Sequence, residues 1–154
     1  APRLRFIGRA GAGLDLIDLA ETERRGIRVF HASAGNADAV AEHVLAMLLS
    51  LLTNLLRADR QVRAGVWDRE GNRGYELGGK TVGLLGYGHN GQATARRLSG
   101  FGCRVLAYDK YRDNYGDSYA EAATVEQIQA EADVLSLHVP LTAETRGWIN
   151  ATFI

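Results

Sequence analysis

Residues Thr81–Asp109 read TVGLLGYGHNGQATARRLSGFGCRVLAYD. An apolar, β-rich run from Thr81 to Tyr87 leads into Gly86, Gly88 and Gly91 in a G-x-G-x-x-G pattern. A second such run, Arg104–Tyr108, ends on a lone acid, Asp109. The pattern predicts a strand, a tight turn, a helix and a second strand. Gly91, Ala95 and Leu98 share one face of that helix, and Gly100 and Gly102 close it. Each glycine of the turn has its own task. Gly86 lets the chain bend sharply out of the strand, Gly88 leaves bare backbone for a pyrophosphate, and Gly91 lets the helix lie close to the sheet. The helix start then faces the phosphates with unpaired N–H groups and a positive partial charge. Asp109 follows Gly91 by 18 residues, where a carboxylate accepts both hydroxyls of an adenosine ribose. A 2′-phosphate meets repulsion there, so the reading is NAD rather than NADP. A methyl-donor-binding fold also ends its second strand on an acid, but it has no pyrophosphate to cradle and its glycine turn differs.

The same rhythm extends to both sides. Downstream, Thr124-Val-Glu-Gln127 fits a capping box opening a short helix, and Asp133–Val139 forms a third strand stopped by Pro140. Strands alternating with helices imply an α/β fold with a doubly wound parallel sheet of Rossmann type. Upstream, residues 3–7 and 27–30 are strand-like and flank a helix over 15–25 that Gly26 stops. Residues 58–79 lose apolar periodicity and carry five glycines, which predicts a connector. Val40–Leu56 predicts one long helix, with Val40, Val44, Met47, Leu48, Leu51 and Leu55 on one face. Leu45, Leu49, Leu52 and Leu56 lie off that face and are apolar too, so the helix must bury a second side.

Composition narrows the function classes. A chain of 154 residues with 46% hydrophobic content has the size and apolar fraction of an ordinary globular domain. Eighteen basic and eighteen acidic residues cancel without forming blocks, so neither nucleic acid nor a membrane surface is an expected partner. Val40–Leu56 is interrupted by polar residues and is shorter than a membrane span. The single Cys103 has no disulfide partner and no metal-type cluster around it, and the start of the chain lacks a signal-peptide pattern, so the expected compartment is the cytoplasm.

Four stretches, FIGRAGAGLDLIDL, NADAVAEHVLAMLL, ELGGKTVGLLGYGHNG and ADVLSLHVPLTAETRGWIN, occur in order across nearly the whole chain. Together they resemble the D-isomer-specific 2-hydroxyacid dehydrogenases, particularly the phosphoglycerate dehydrogenase branch. The resemblance implies that residues 1–36 are the C-terminal remnant of a flavodoxin-like substrate-binding domain. Residues 37–154 then begin the NAD-binding domain. It also implies that backbone N–H groups around Ala12 hold a substrate carboxylate, with Arg9 adding a charge-assisted bond; a solvated turn residue is an equal reading of Arg9. Asn36 matches a position near substrate and nicotinamide, although an N-cap role is equally available to it.

The cofactor side, on the same resemblance, comprises Gly86, Gly88, His89, Asn90, Gly91, Asp109, His138, Val139, Pro140 and Thr142. His138 matches a cofactor-lining position rather than the family's catalytic histidine. Val139, Pro140 and Thr142 would act largely through backbone and shape. The family usually has Ile or Met where Asn90 stands and a basic residue at His89, so the side-chain contribution there departs from the pattern. The family's catalytic arginine, carboxylate and histidine match positions beyond Ile154, so no catalytic residue is assigned. The 154 residues read as an internal stretch of an enzyme, inactive alone, whose parent moves hydride between NAD(H) and a 2-hydroxy acid. A non-catalytic dinucleotide-binding or interaction module is the alternative. The parent is expected to be a homodimer built partly on the 40–56 helix.

Overall fold

Residues 81–85 and 104–108 form two neighbouring parallel strands in register, with Thr81 opposite Arg104 and Leu85 opposite Tyr108. The computed structural model describes all residues 1–154. In chain order the strands are β1 (Phe6–Arg9), β2 (Arg28–His31), β3 (Thr81–Leu85), β4 (Arg104–Tyr108), β5 (Glu121–Ala122) and β6 (Val134–Leu137). The helices are α1 (Leu19–Arg24), α2 (Ala37–Leu52), α3 (Leu55–Arg63), α4 (His89–Leu98) and α5 (Val125–Glu131). β1 and β2 pair in a two-stranded parallel sheet, while the second sheet runs β5-β4-β3-β6, every pair parallel. The chain steps outward from β3 to β4 to β5 and then returns to the far side of β3 as β6. That reversal leaves a switch point at the carboxyl ends of β3 and β6, where ligands bind in such sheets.

Both faces of the central strands are covered. Val82, Leu84, Val105 and Ala107 point to one face and join Ala95 and Leu98 of α4, with Leu45, Leu48, Leu49 and Leu52 of α2 packed behind them. Leu85 and Leu106 point to the other face and pack with Ile128 of α5 and, farther out, Trp148, Ile149 and Phe153. A strand buried on both sides reads as a continuous apolar run, which explains the sequence of Thr81–Leu85. α2 is fastened to α4 at one end by ions: Asp38 Oδ1 accepts from Arg96 Nη2 at 2.8 Å and Arg97 Nη1 at 2.9 Å, and Arg97 Nη2 reaches Glu42 at 3.2 Å.

Several boundaries differ from the sequence reading. The expected 40–56 helix is two helices, α2 and α3, whose axes turn by 64° at a break. Asn54 causes it by adopting the left-handed conformation, φ 55°, while its Nδ2 donates to the Arg73 carbonyl at 2.9 Å. Apolar periodicity runs straight through this position, so it could not reveal the turn. The expected 58–79 connector therefore begins with the second half of α3. The strand expected over 3–7 lies at Phe6–Arg9, and the 15–25 helix is shortened to Leu19–Arg24 because the Asp18 side chain caps it, accepting from the Glu21 N–H at 2.9 Å. Two-residue β5 is too short to leave a periodic trace. No single helix is long and apolar enough to cross a membrane.

Candidate functional site

The turn after β3 draws three strand ends together. Gly86 has φ +96°, a conformation that a side chain strains, and its N–H donates to the Tyr108 carbonyl at 2.8 Å. A Cβ on Gly86 would sit 2.7 Å from the His138 carbonyl oxygen, so β6 leaves no room for one. Gly88 stands at the N-cap of α4 with no side-chain cap, and the space beside its Cα is open. The first-turn N–H groups of His89, Asn90 and Gly91 thus face an uncapped helix start. A Cβ on Gly91 would fall onto the Gly86 carbonyl oxygen, so only glycine lets α4 begin this close to the strand. These are the features that an NAD pyrophosphate requires: an open approach at Gly88, bare backbone around it and unpaired donors aimed into the space. The residues fit the cofactor.

Asp109 follows β4 and reaches back to the same turn. Its Oδ2 accepts from the Tyr87 N–H at 2.8 Å and its Oδ1 from the Tyr111 N–H at 2.9 Å. Two backbone donors hold the carboxylate as an acceptor, with lone pairs left for ribose hydroxyls.

Sequence reasoning missed what fixes this turn. Tyr87, the residue between Gly86 and Gly88, is fully buried, with its ring 5.9 Å from that of Tyr115 and its hydroxyl donating to both Asp117 carboxylate oxygens at 2.9 Å. Its carbonyl accepts from Arg112 Nη1 at 2.5 Å and from Gln92 Nε2 at 3.2 Å. Burial, and next the Asp117 carboxylate, push the phenol pKa far above its usual value. A hydroxylated aromatic inside a glycine turn was the only available signal.

The remaining predicted residues divide into two groups. His138 and Val139 stand against Gly86, and the His138 N–H donates to the Leu85 carbonyl at 2.7 Å. The His138 ring is half-buried beside Ser136 Oγ, 3.0 Å away, and burial lowers its pKa. Pro140 and Thr142 belong to a turn closed by Thr145, whose hydroxyl donates to the Pro140 carbonyl at 2.6 Å and accepts from the Thr142 N–H at 2.8 Å. Asn90 stands in the first turn of α4, its amide oxygen buried without a hydrogen-bond partner.

Arg9 and Ala12 lie with the separate β1–β2 sheet. The Arg9 side chain lies over Gly11 with its Nε buried and unpartnered, and the Ala12 carbonyl is 3.0 Å from His31 Nδ1. Asn36 stands at the N-cap of α2 but makes no capping bond, so its amide is free. A polar cavity of about 200 Å³, lined by Ala34, Ala37 and Asp38 on one side and His89, Gln92 and Arg96 on the other, joins this helix start to the glycine turn. No histidine in the chain is paired with a carboxylate.

The family model for the D-isomer specific 2-hydroxyacid dehydrogenase NAD binding domain matches residues 45–154. The chain belongs to this family. It is 40% identical over 152 residues to D-3-phosphoglycerate dehydrogenase of Mycobacterium leprae, covering 97% of this chain and 29% of that protein. It is also 40% identical over 159 residues to glyoxylate reductase of Pyrococcus furiosus, covering 97% and 47%. The solved D-lactate dehydrogenase from Aquifex aeolicus, complexed with NAD and lactic acid, superimposes with a TM-score of 0.89 at 34% identity over 99% of this chain and 46% of that one. As a family member the chain is thus an NAD-binding Rossmann unit of the D-2-hydroxyacid dehydrogenases, and it spans less than half the length of these relatives.

Proposed function

We propose that the chain is the cofactor-holding part of an oxidoreductase that moves hydride between NAD(H) and a D-2-hydroxy acid or its 2-oxo acid, in the manner of phosphoglycerate dehydrogenase. The observation that carries this reading is Asp109, fixed by two backbone N–H groups against the glycine turn at the start of α4. NAD supplies the hydride chemistry when bound; the chain's residues hold and orient it. Gly86, Gly88 and Gly91 shape the approach, the N–H groups of His89 and Asn90 receive the pyrophosphate, and Asp109 takes the adenosine ribose. His138, Val139, Pro140 and Thr142 form the opposite wall. The names of the relatives, phosphoglycerate dehydrogenase, glyoxylate reductase and lactate dehydrogenase, all fit a small 2-hydroxy or 2-oxo acid as substrate.

In this reading residues 1–36 are the end of a flavodoxin-like substrate domain. Their separate parallel sheet supports it, and so does the start of α2 immediately after Asn36. Arg9, Ala12 and Asn36 face the substrate carboxylate; the buried, unpartnered Arg9 Nε is a donor in need of an acceptor, and the exposed Asn36 amide makes no capping bond that would hold it back. The working protein is a cytoplasmic homodimer whose interface includes α2 and the start of α3. Support comes from Met47, Leu51 and Leu56, all at least half-exposed around an apolar hollow of about 380 Å³, and from exposed Leu55 beside Leu56 in the chain.

The test is a fluorescence titration of NADH and NADPH. NADH should bind more tightly, and Asp109→Ala should weaken it by roughly 10- to 100-fold, the worth of one or two charge-assisted hydrogen bonds. Equal affinity for both cofactors in the unaltered protein would contradict the assignment.

A further inference from the structure

Two cations follow Asp109 closely in the chain, and each has a partner. Arg112 Nη1 donates to the Tyr87 carbonyl. Lys110, the residue next to Asp109, sends its ammonium across the mouth of the sheet to Glu144 Oε2 at 2.6 Å. The same oxygen accepts from the Tyr111 hydroxyl at 3.0 Å, and the Lys110 ammonium lies 5.4 Å from the centre of the Tyr111 ring. Glu144 is itself held in the Pro140–Thr145 turn described above, whose Thr142 and Thr145 hydroxyls lie 3.2 Å apart. The clasp therefore links the loop after β4 to the loop after β6, over the end of β3.

Both partners keep more than half of their side-chain surface in water, at 54% and 59%, so the pair adds little to folding stability. Its consequence is positional. In a dinucleotide fold the acid after the second strand selects an unphosphorylated ribose, and a free cation beside it accommodates a 2′-phosphate. Lys110 has the sequence position of such a cation, yet a carboxylate from another loop draws it away. We infer that Glu144 is a cofactor-selectivity residue: by sequestering Lys110 it denies a 2′-phosphate its counter-charge and reinforces the exclusion of NADPH begun by Asp109. Glu144 also adds its own negative charge to the rim that the phosphate would approach. The hydrogen bond from Lys110 holds the Glu144 carboxyl below the usual carboxylate range, so the pair stays ionised through neutral pH.

The inference rests on Asp109 being the ribose acceptor, and the experiment separates the two. NADH and NADPH affinities are measured on the full chain for the unaltered protein, Glu144→Gln, Lys110→Ala, the double variant Lys110→Ala/Glu144→Gln, and Asp109→Ala. Glu144→Gln should tighten NADPH roughly tenfold, the scale of one charge-assisted hydrogen bond to phosphate, and leave NADH within about twofold. Lys110→Ala alone should leave NADPH within about twofold, because the ammonium is already engaged, whereas in the Glu144→Gln background it should remove the whole gain. Unchanged NADPH affinity in Glu144→Gln, or equal shifts for both cofactors, would overturn the inference by reducing the clasp to a structural strap. If Asp109→Ala leaves NADH affinity unchanged, the ribose assignment itself has failed.

Discussion

At the scale of single residues, Tyr87 shows how the glycine turn is held in place before any ligand arrives. Its N–H is spent on Asp109, its carbonyl on Arg112 and Gln92, and its hydroxyl on Asp117, so the chain between Gly86 and Gly88 has little freedom left to lose. Preorganisation of this kind reduces the ordering cost of binding. His138, on the opposite wall, carries a pH signature. Burial depresses its pKa below the ordinary 6.5, so between the depressed value and 6.5 the unfolded chain binds more protons than the folded one. The stabilisation it contributes is therefore complete above pH 6.5 and lost as pH falls through the folded pKa. Thermal melts from pH 7.5 down to 5 should show a decline that His138→Gln flattens. Identical pH profiles would show that the ring is as hydrated as in the unfolded chain. The glycines and Asp109 were legible in the sequence because each answers a backbone or charge requirement at fixed spacing. Tyr87, Asp117 and Glu144 were not, because their roles depend on partners 30 and more residues away in the chain.

At the scale of elements, legibility follows how much of a segment is determined locally. β4 occupies the expected residues 104–108, and Gly91, Ala95 and Leu98 are buried on α4 as expected, together with Ala93 and Thr94, since apolar pattern and glycine stops act within a few residues. Of the capping box expected for α5 the Thr124 half forms, its Oγ1 accepting from the Gln127 N–H at 3.1 Å. The turn between α2 and α3 was hidden, because a left-handed Asn54 held by a distant carbonyl leaves the leucine periodicity intact. α5 in turn depends on Gly83, in the middle of β3. A Cβ there would stand 2.5 Å from Ile128 Cγ2 and 3.2 Å from Ala132 Cβ. Gly83→Ala should therefore cost about 1–3 kcal/mol by overpacking. Ile128→Ala should offset part of that, so that the double variant loses less than the sum of the two single losses. Chemical denaturation measures both, and strict additivity would show that β3 and α5 do not touch as described.

At the scale of the whole molecule, the two sides of α2 separate inward from outward packing. Leu45, Leu48, Leu49 and Leu52 face the sheet core, whereas Met47 and Leu51, with Leu55 and Leu56 beyond the break, stay exposed. Substituting Leu49 or Leu52 would thus disturb folding, and the proposed dimer is better tested from outside. Leu51→Glu with Leu55→Glu should convert a dimer to monomer in sedimentation while leaving the melting temperature of the fold nearly unchanged, and an unaltered dimer would remove α2 from the interface. The same architecture brings the ends of β3, β4 and β6 to one place, and the central claim is that this place grips NAD. A crystal structure of the protein with NAD tests it most directly. The account predicts the pyrophosphate against Gly88 and the N–H groups of His89 and Asn90, with both adenosine ribose hydroxyls on Asp109. A dinucleotide bound elsewhere, or a ribose turned away from Asp109, would contradict it.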